Sequence, residues 1–262
     1  MKELAPLQLR FGHEELVVLL ELSKLPMIAG VGNEPFGVLT PQIVTLLKQV
    51  GLRSLLARGV VEVESEGEKI VVDEQLNKIL FFCAHPQKLS TIVWKEEDEP
   101  ARVEHVYRVP DLAIAHGQIY PGVHELIVFE TDDGLLTSRL LERLPCSDSI
   151  SDEKSFTLSR QDFDHIQKRS SRIALIAQLS SMGVDGKTTG SFAEAIQASS
   201  TRLLIETSRQ DREQVSRENK TFLISPESCW LLDGLADPDC TSISVVPLSS
   251  TAFKQQLLSL LR

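Results

Sequence analysis

The sequence predicts an α+β protein made of two similar halves that share one sheet. Segments with the apolar spacing of helices alternate with β-rich segments along the 262 residues. In each half, helices end at a Gly-Val pair, and a further short helix leads into a strand. The pairs are Gly59-Val60 and Gly183-Val184, and the strands that follow begin at Thr91 and Leu203. Because the same order of elements occurs twice, we expect a structural repeat.

Helices dominate the first part of the chain. Leu16, Leu19 and Leu20 make an apolar face, and Thr40 followed by Pro41 is typical of the start of a helix. Asp73 is a good N-cap for a later one. Helices are therefore predicted over 13–24, 41–50, 52–58 and 74–82.

An antiparallel meander is predicted between Thr91 and Leu144, where the pattern changes to alternating, β-rich segments. Strands are predicted over 90–96, 103–109, 112–116, 123–131 and 135–143. The sequence Thr131-Asp132-Asp133-Gly134 between the last two is typical of a hairpin turn.

A polar segment rich in Ser and Asp, 145–154, follows the meander and is predicted to be a linker. It divides the chain into an N-terminal half, 1–144, and a C-terminal half, 155–262, and one continuous domain is the alternative. In the second half, helices are predicted over 160–182, 191–200 and 250–261, and strands over 201–207, 221–225, 229–232 and 242–246.

Charge and composition exclude several classes of partner. The formal net charge is −10, and a field of that sign repels phosphate backbones. The densest basic stretch, Lys168-Arg169 with Arg172, is too short for a nucleic-acid patch. The start of the chain lacks a signal-peptide pattern, and its apolar run Leu16–Leu20 is too short to span a bilayer. We therefore predict a cytoplasmic protein that binds neither nucleic acid nor membrane, with its four cysteines reduced.

The sequence contains no complete catalytic or cofactor-binding motif. The Gly-Lys-Thr at 186–188 resembles the end of a phosphate-binding loop, but Ser181 occupies the position of the required first glycine. No Gly-x-Ser-x-Gly elbow occurs. We predict that the chain is not an enzyme, with no catalytic residues and no cofactor. An enzyme whose site is assembled from scattered residues stays an alternative.

The six histidines show neither HxH nor HExxH spacing, so we predict no metal site. One arrangement stays open. Cys83 and His85 would share a face if their segment were extended, and His116 or His124 could then complete a set of ligands.

Residues 40–72 also fit a winged helix-turn-helix. Its two helices are joined by a turn at Gly51, and a hairpin over 60–64 and 70–72 forms the wing. A wing that binds DNA needs cations to hold phosphates, but this one carries four glutamates against Lys69. We therefore favour a protein-binding or structural module, and a winged-helix transcription regulator is the alternative.

Several short sequence features are found along the whole chain, each once and in a recognisable order. They are Leu25-Pro26, Ala57-Arg58-Gly59-Val60-Val61, Asp73 to Pro86, Leu89 to Trp94, Thr221 to Ser225, Trp230 and Val246-Pro247. A Leu-rich helix then closes the chain. In order and spacing, these features resemble the EspG-type chaperones of ESX (type VII) secretion systems.

This resemblance implies a fold and a role. The fold is a central antiparallel sheet flanked by helical bundles, with a quasi-two-fold relation between two similar halves. The role is to bind the tip of a helical secretion substrate, a PE/PPE-type heterodimer, in the cytosol and keep it soluble. The partner expected for this chain is accordingly a helical protein, such as a secreted heterodimer.

The resemblance also implies where the partner docks. The family uses loops of the sheet and the C-terminal helical bundle, and the loop that corresponds here is 117–123. Ile119, Tyr120 and Pro121 would form an apolar docking point at its tip. The alternative is an ordinary turn in which Tyr120 folds back onto the sheet.

Overall fold

The computed structural model describes residues 6–32, 40–64, 69–96, 99–130, 133–144, 153–168, 171–197, 201–211 and 214–262. The first half contains β1 (Leu7–Gly12), α1 (His13–Leu22), α2 (Pro41–Ala57), β2 (Val61–Val63), β3 (Ile70–Val72), α3 (Glu74–Ala84), β4 (Lys88–Lys95), β5 (Arg102–Val109), β6 (Leu112–Tyr120), β7 (Val123–Glu130) and α4 (Asp133–Leu141).

The second half repeats this order with fewer elements before its strands. It contains β8 (Phe156–Ser159), α5 (Arg160–Gln167), α6 (Arg172–Ser181), α7 (Gly186–Gln197), β9 (Thr201–Asp211), β10 (Gln214–Ile224), β11 (Cys229–Asp233), β12 (Ser242–Leu248) and α8 (Ser250–Leu261).

Ten strands form one large antiparallel sheet in the order β1-β7-β6-β5-β4-β9-β10-β11-β12-β8. The five strands at each end of this order follow the same pattern. A first strand, β1 or β8, lies at the edge and runs directly into a helix, and the four strands of a meander lie inside it. β2 and β3 pair separately as a small hairpin. The predicted α+β class, with a large antiparallel sheet and a repeated order of elements, is confirmed.

The chain divides into two compact units, each with its own core. The first takes its described residues from 1–89, 103–132 and 209–214, and the second from 90–102, 133–208 and 215–262. The apolar face predicted for α1 is buried in the first core together with side chains from α3, β6 and β7. Edge-to-face aromatic packing anchors the second, where the Phe192 ring lies 5.1 Å from Trp230 and 5.2 Å from Phe156. The predicted division at 145–154 stays a prediction, because most of that segment lies outside the described residues.

The strand predicted over 135–143 is wrong, because residues 135–141 lie in α4, which ends at Leu141. Leu136 and Leu140 are buried and are spaced four apart, so they share one face of this helix, and the buried Leu144 follows its end. Asp133 and Gly134, predicted to lie in a hairpin turn, are in the first turn of α4, and the preceding Thr131 and Asp132 lie outside the described residues.

The turn predicted at Gly51 is also wrong. Residues 41–57 form one uninterrupted helix, α2, so the two helices of a helix-turn-helix are absent from this described segment. Gly51 is buried against α1, and a Cβ atom added there would lie 2.7 Å from the Glu14 carbonyl oxygen. The glycine permits close packing of two helices, which corrects the winged-helix interpretation. The predicted small hairpin is confirmed as β2 and β3, and residues 65–68, between its two strands, lie outside the described residues.

The single helix predicted over 160–182 is divided into α5 and α6. The two edge strands, β1 and β8, were not predicted from the sequence. In the part of the chain that the structure describes, no helix is both long and apolar enough to cross a membrane.

Candidate docking hairpin and histidine chain

The predicted docking residues lie at the end of the hairpin formed by β6 and β7. The two strands pair from Leu112 opposite Glu130 up to Tyr120 opposite Val123, with an irregularity between Gln118 and Tyr120. That bulge leaves an extra residue on β6 and changes the direction of the side chains beyond it. The turn closes at Gly122, whose φ of +77° lies in the left-handed region that favours glycine.

The structure brings Ile119, Tyr120 and Pro121 together as an exposed apolar tip. Ile119 is 51% exposed and Tyr120 is 70% exposed, and Pro121 is exposed beside them. The alternative in which Tyr120 folds back onto the sheet is therefore wrong. A role of the three residues in binding stays a prediction.

A chain of buried ring side chains lies at the base of this hairpin, within the first unit. His13 Nδ1 lies 3.1 Å from His124 Nε2, and His124 Nδ1 lies 2.9 Å from His116 Nε2. His116 Nδ1 lies 3.2 Å from the Tyr107 hydroxyl. All four side chains are buried. We call this set of three histidines and one tyrosine the histidine chain.

Both ends of the histidine chain meet the loop that follows α1. The Tyr107 hydroxyl donates to the Ala29 carbonyl at 2.7 Å, and the His13 ring makes a hydrogen bond with the backbone of Gly32. Between these ends, Gly30 has a φ of +76°, and a Cβ atom there would lie 2.8 Å from the His105 ring. The loop therefore follows the chain of rings closely, and glycine is required where it passes His105.

Burial keeps the rings neutral near neutral pH. It lowers the pKa of His116 to about 3, with further lowering by His124 and His105, and it lowers the pKa of His124 to about 4, with a smaller effect from His13. The pKa values of His13 and His105 are lowered by the same cause. Burial likewise raises the pKa of the Tyr107 hydroxyl, so the phenol stays protonated.

The geometry of the histidine chain suits hydrogen bonding rather than metal binding. Two nitrogens bound to one tetrahedral zinc ion at ordinary bond lengths lie about 3.3 Å apart or more. The ring nitrogens at 2.9 and 3.1 Å instead point at each other in series. Among the described residues, no group of three or more His, Cys, Asp or Glu side chains is placed to hold a metal ion. Cys83 and His85 do not form such a group with His116 or His124 there.

The Gly-Lys-Thr sequence lies at the start of α7, in the second unit. The Asp185 carboxylate accepts hydrogen bonds from the Thr188 amide at 3.2 Å and from its hydroxyl at 2.7 Å. The helix N-terminus is thus already capped by a carboxylate of the chain itself. A cleft of about 490 Å³ lies beside it, and Arg172 and Glu194 in its wall form an ion pair at 3.0 Å.

Comparison with solved structures identifies a protein of the same fold. It is the Mycobacterium tuberculosis type VII secretion system chaperone EspG5, solved in complex with a PE25-PPE41 dimer. The TM-score is 0.64 at 10% sequence identity, and the match covers 97% of this chain and 94% of that chain. At this identity the likeness shows the fold alone. No protein-family model and no curated protein matches the sequence.

Proposed function

We propose that this chain is a cytoplasmic, chaperone-like protein-binding module that docks a helical partner on the tip formed by Ile119, Tyr120 and Pro121. The observation that carries the proposal is the exposure of these apolar side chains at the end of a paired hairpin. Covering them removes apolar area from water, which drives most protein association. The likeness in fold to a secretion chaperone supports the same role.

The tip has the physical properties of a binding hot spot. Tyrosine offers a large apolar surface and a hydroxyl while losing few rotatable bonds on binding, and hot spots are enriched in it. Truncation of a hot-spot side chain costs about 2 kcal/mol or more, or about a 30-fold loss in affinity. Loss of Tyr120 together with Ile119 should therefore weaken binding by about 100-fold or more.

The proposed partner is a helical protein with an exposed apolar end, such as a secreted heterodimer. EspG5 was solved with a PE25-PPE41 dimer, and we carry that class of partner over to this chain as part of the proposal. An apolar end of a helical pair tends to self-associate in water. A module that covers this end would keep the pair soluble until it is handed to the secretion machinery.

The proposal is tested by co-expressing the chain with small helical secreted proteins as candidate partners and measuring the Kd of any stable complex by calorimetry. Three proteins are compared: the wild type, the double variant Ile119→Ser with Tyr120→Ser, and Ile173→Ser as control. Ile173 on α6 is 81% exposed, so its replacement changes a comparable exposed apolar side chain elsewhere.

We expect the double variant to bind at least about 100-fold more weakly and the control to bind as the wild type does. Equal affinity of the double variant and the control would show that the tip is not the docking point. Failure of every helical candidate to form a complex, or to gain solubility from the chain, would refute the chaperone-like role itself.

A further inference from the structure

The helix α2 has two faces with different surroundings. On one face, Gly51 and Leu55 are buried, and the Glu14 backbone of α1 lies close to Gly51. Lys48, on the same face, forms an ion pair with Glu21 of α1. These contacts hold α2 against α1 and leave the opposite face pointing away from that helix.

The opposite face carries a row of exposed apolar side chains. Ile43 is 44% exposed, Leu46 is 58% exposed and Val50 is 45% exposed. The intervals of three and four residues continue to Arg53 and Ala57, which are also exposed. Alternating intervals of three and four are those of the seam that one helix of a coiled coil presents to another. We call these five residues the α2 seam.

The residues beside the α2 seam favour a second copy of this chain as the occupant. In coiled coils, charges at the flanking positions select a different helix or exclude self-pairing. The flanking positions of α2 carry Gln42, Leu47, Gln49, Ser54 and Leu56, none of which is charged. The flanks therefore supply no repulsion against self-pairing and no charge that a different helix would match.

The single charge in the α2 seam determines the orientation of such a pair. In a parallel pair, Arg53 of each copy would face Arg53 of the other, and like charges in direct opposition are unfavourable. In an antiparallel pair, Leu46 faces Val50 of the second copy, and Arg53 faces Ile43. The two guanidinium groups then lie about 15 Å apart along the helix axis, and each Arg53 alkyl chain covers an isoleucine.

We propose that two copies of this chain associate through the α2 seam as an antiparallel, two-fold symmetric pair of helices. A two-fold interface uses the same patch on both copies, so every seam residue contributes twice. Association removes from water the exposed apolar surface of Ile43, Leu46 and Val50 of both copies. The pairing concerns α2 alone and does not depend on the proposed function.

The length of α2 sets the strength of this association. Its 17 residues span about 25 Å. An interface made by one pair of helices of this length falls below about 1,200 Å² in total, at the weak end of specific interfaces. We therefore expect a reversible dimer with a Kd of about 10–100 μM, so that monomer and dimer are both populated at concentrations that sedimentation can reach.

The dimer is tested by sedimentation equilibrium of the full-length chain between about 1 and 500 μM. Three proteins are compared: the wild type, the double variant Leu46→Ser with Val50→Ser, and Ile173→Ser as control. Ile173 on α6 is 81% exposed, so its replacement removes a comparable apolar side chain outside the α2 seam. All the replaced side chains are exposed, and circular dichroism should therefore show the wild-type helix content in each variant.

We expect the double variant to lose about 100-fold or more in dimer affinity and to sediment as a monomer over the whole range, because each substitution occurs twice in the dimer. The control should keep the wild-type Kd. A wild type that is monomeric at every concentration overturns the proposal and leaves the α2 seam to a different protein. A dimer that persists in the double variant overturns it as well, because that dimer must form through another surface.

Substitutions at Ile43 test the orientation. In the antiparallel pair, residue 43 of each copy faces Arg53 of the other, so Ile43→Glu creates two contacts between opposite charges and Ile43→Lys creates two between like charges. We expect Ile43→Glu to dimerise about tenfold more tightly than Ile43→Lys at about 50 mM salt, and the difference to shrink at about 500 mM. In a parallel pair, residue 43 would face itself and both variants would be weakened alike. Equal Kd values for the two variants therefore overturn the antiparallel pairing.

Discussion

Replacing Gly51 by alanine tests the close packing of α1 against α2. A Cβ atom at this position would lie 2.7 Å from the Glu14 carbonyl oxygen, 2.9 Å from its carbonyl carbon and 3.1 Å from the Glu15 nitrogen. All three are backbone atoms of α1, so no side-chain rotation can relieve the overlap. One helix must move away from the other, and side chains packed between them lose contact.

Two effects of opposite sign set the magnitude. Alanine is favoured over glycine in a helix interior by about 0.8–1.0 kcal/mol. Overpacking a closely packed site costs about 1–3 kcal/mol, and the backbone neighbours place Gly51 at the upper end of that range. We therefore expect Gly51→Ala to lower the free energy of unfolding by about 1–2 kcal/mol.

Gly190 in α7 provides the matched control, because a Cβ atom added there has no atom within 4 Å. Gly190→Ala should gain the helix preference alone and raise stability by about 0.8–1.0 kcal/mol. Urea unfolding followed by circular dichroism measures both variants, with the dependence on urea concentration compared to confirm a common unfolded state. If Gly51→Ala proves as stable as the wild type or more so, α1 and α2 are not in the contact described.

Other predictions concern charge and pH. Burial raises the pKa of Glu15, but hydrogen bonds from Ser54, the Gly12 amide and Arg58 outweigh it and hold the pKa below its ordinary value. Glu15→Gln should therefore cost about 2 kcal/mol at pH 7, a loss that shrinks as the pH falls through the lowered pKa, whereas Glu62→Gln on an exposed strand should change little. Because burial lowers the pKa values of the chain histidines, their stabilising effect is complete above about pH 6.5 and is lost as the pH falls towards the folded-state values. Urea titrations between pH 7.5 and 4.5 should show the free energy of unfolding falling as the pH is lowered, with about two protons taken up by the histidine chain on unfolding. A free energy of unfolding that does not change with pH would mean that these rings are protonated in the folded protein as readily as in the unfolded one.

Helix starts could be predicted because their signals are local. The side chains of Thr40, Asp73 and Ser159 accept hydrogen bonds from backbone amides three residues later, as their residue types indicate. The strands of the meander could be predicted equally well. The exception is the segment 135–143, whose leucines fit the spacing of a strand as well as that of a helix. In α4 the buried leucines are spaced four apart, which is the spacing of a helix. Which leucines are buried depends on the core against which they pack, and the sequence alone does not show this.

Gly51 shows why the interpretation of a single glycine can fail. Glycine ends or bends many helices, so a turn was the local expectation. Here glycine is needed because the backbone of α1, which is distant in the sequence, leaves no space for a Cβ atom at this position. The same residue type serves both purposes, and nothing in the surrounding sequence distinguishes them.

The histidine chain depends on two kinds of contact, of which only one is local. His116 and His124 lie on either side of one hairpin turn, so the predicted strands could have placed them near each other. His13 joins them because the start of α1 rests on that turn, and Tyr107 joins because β5 lies next to β6. Motif spacing cannot reveal such a set, because its members belong to four different elements.

The hairpin that carries the proposed docking tip is held at its base by α1. The first amide of α1 donates to Gly122, so a helix N-terminus that would otherwise need water is satisfied by the hairpin turn. Glu15 then fixes the same helical turn, since its carboxylate accepts from the Gly12 amide at 2.8 Å and from Arg58 of α2 at 2.6 Å. A tip whose base is fixed in this way has little conformational freedom to lose when a partner covers it. Because ordering a loop is a major cost of association, a fixed base of this kind favours the proposed docking of a partner on the three apolar residues of the tip.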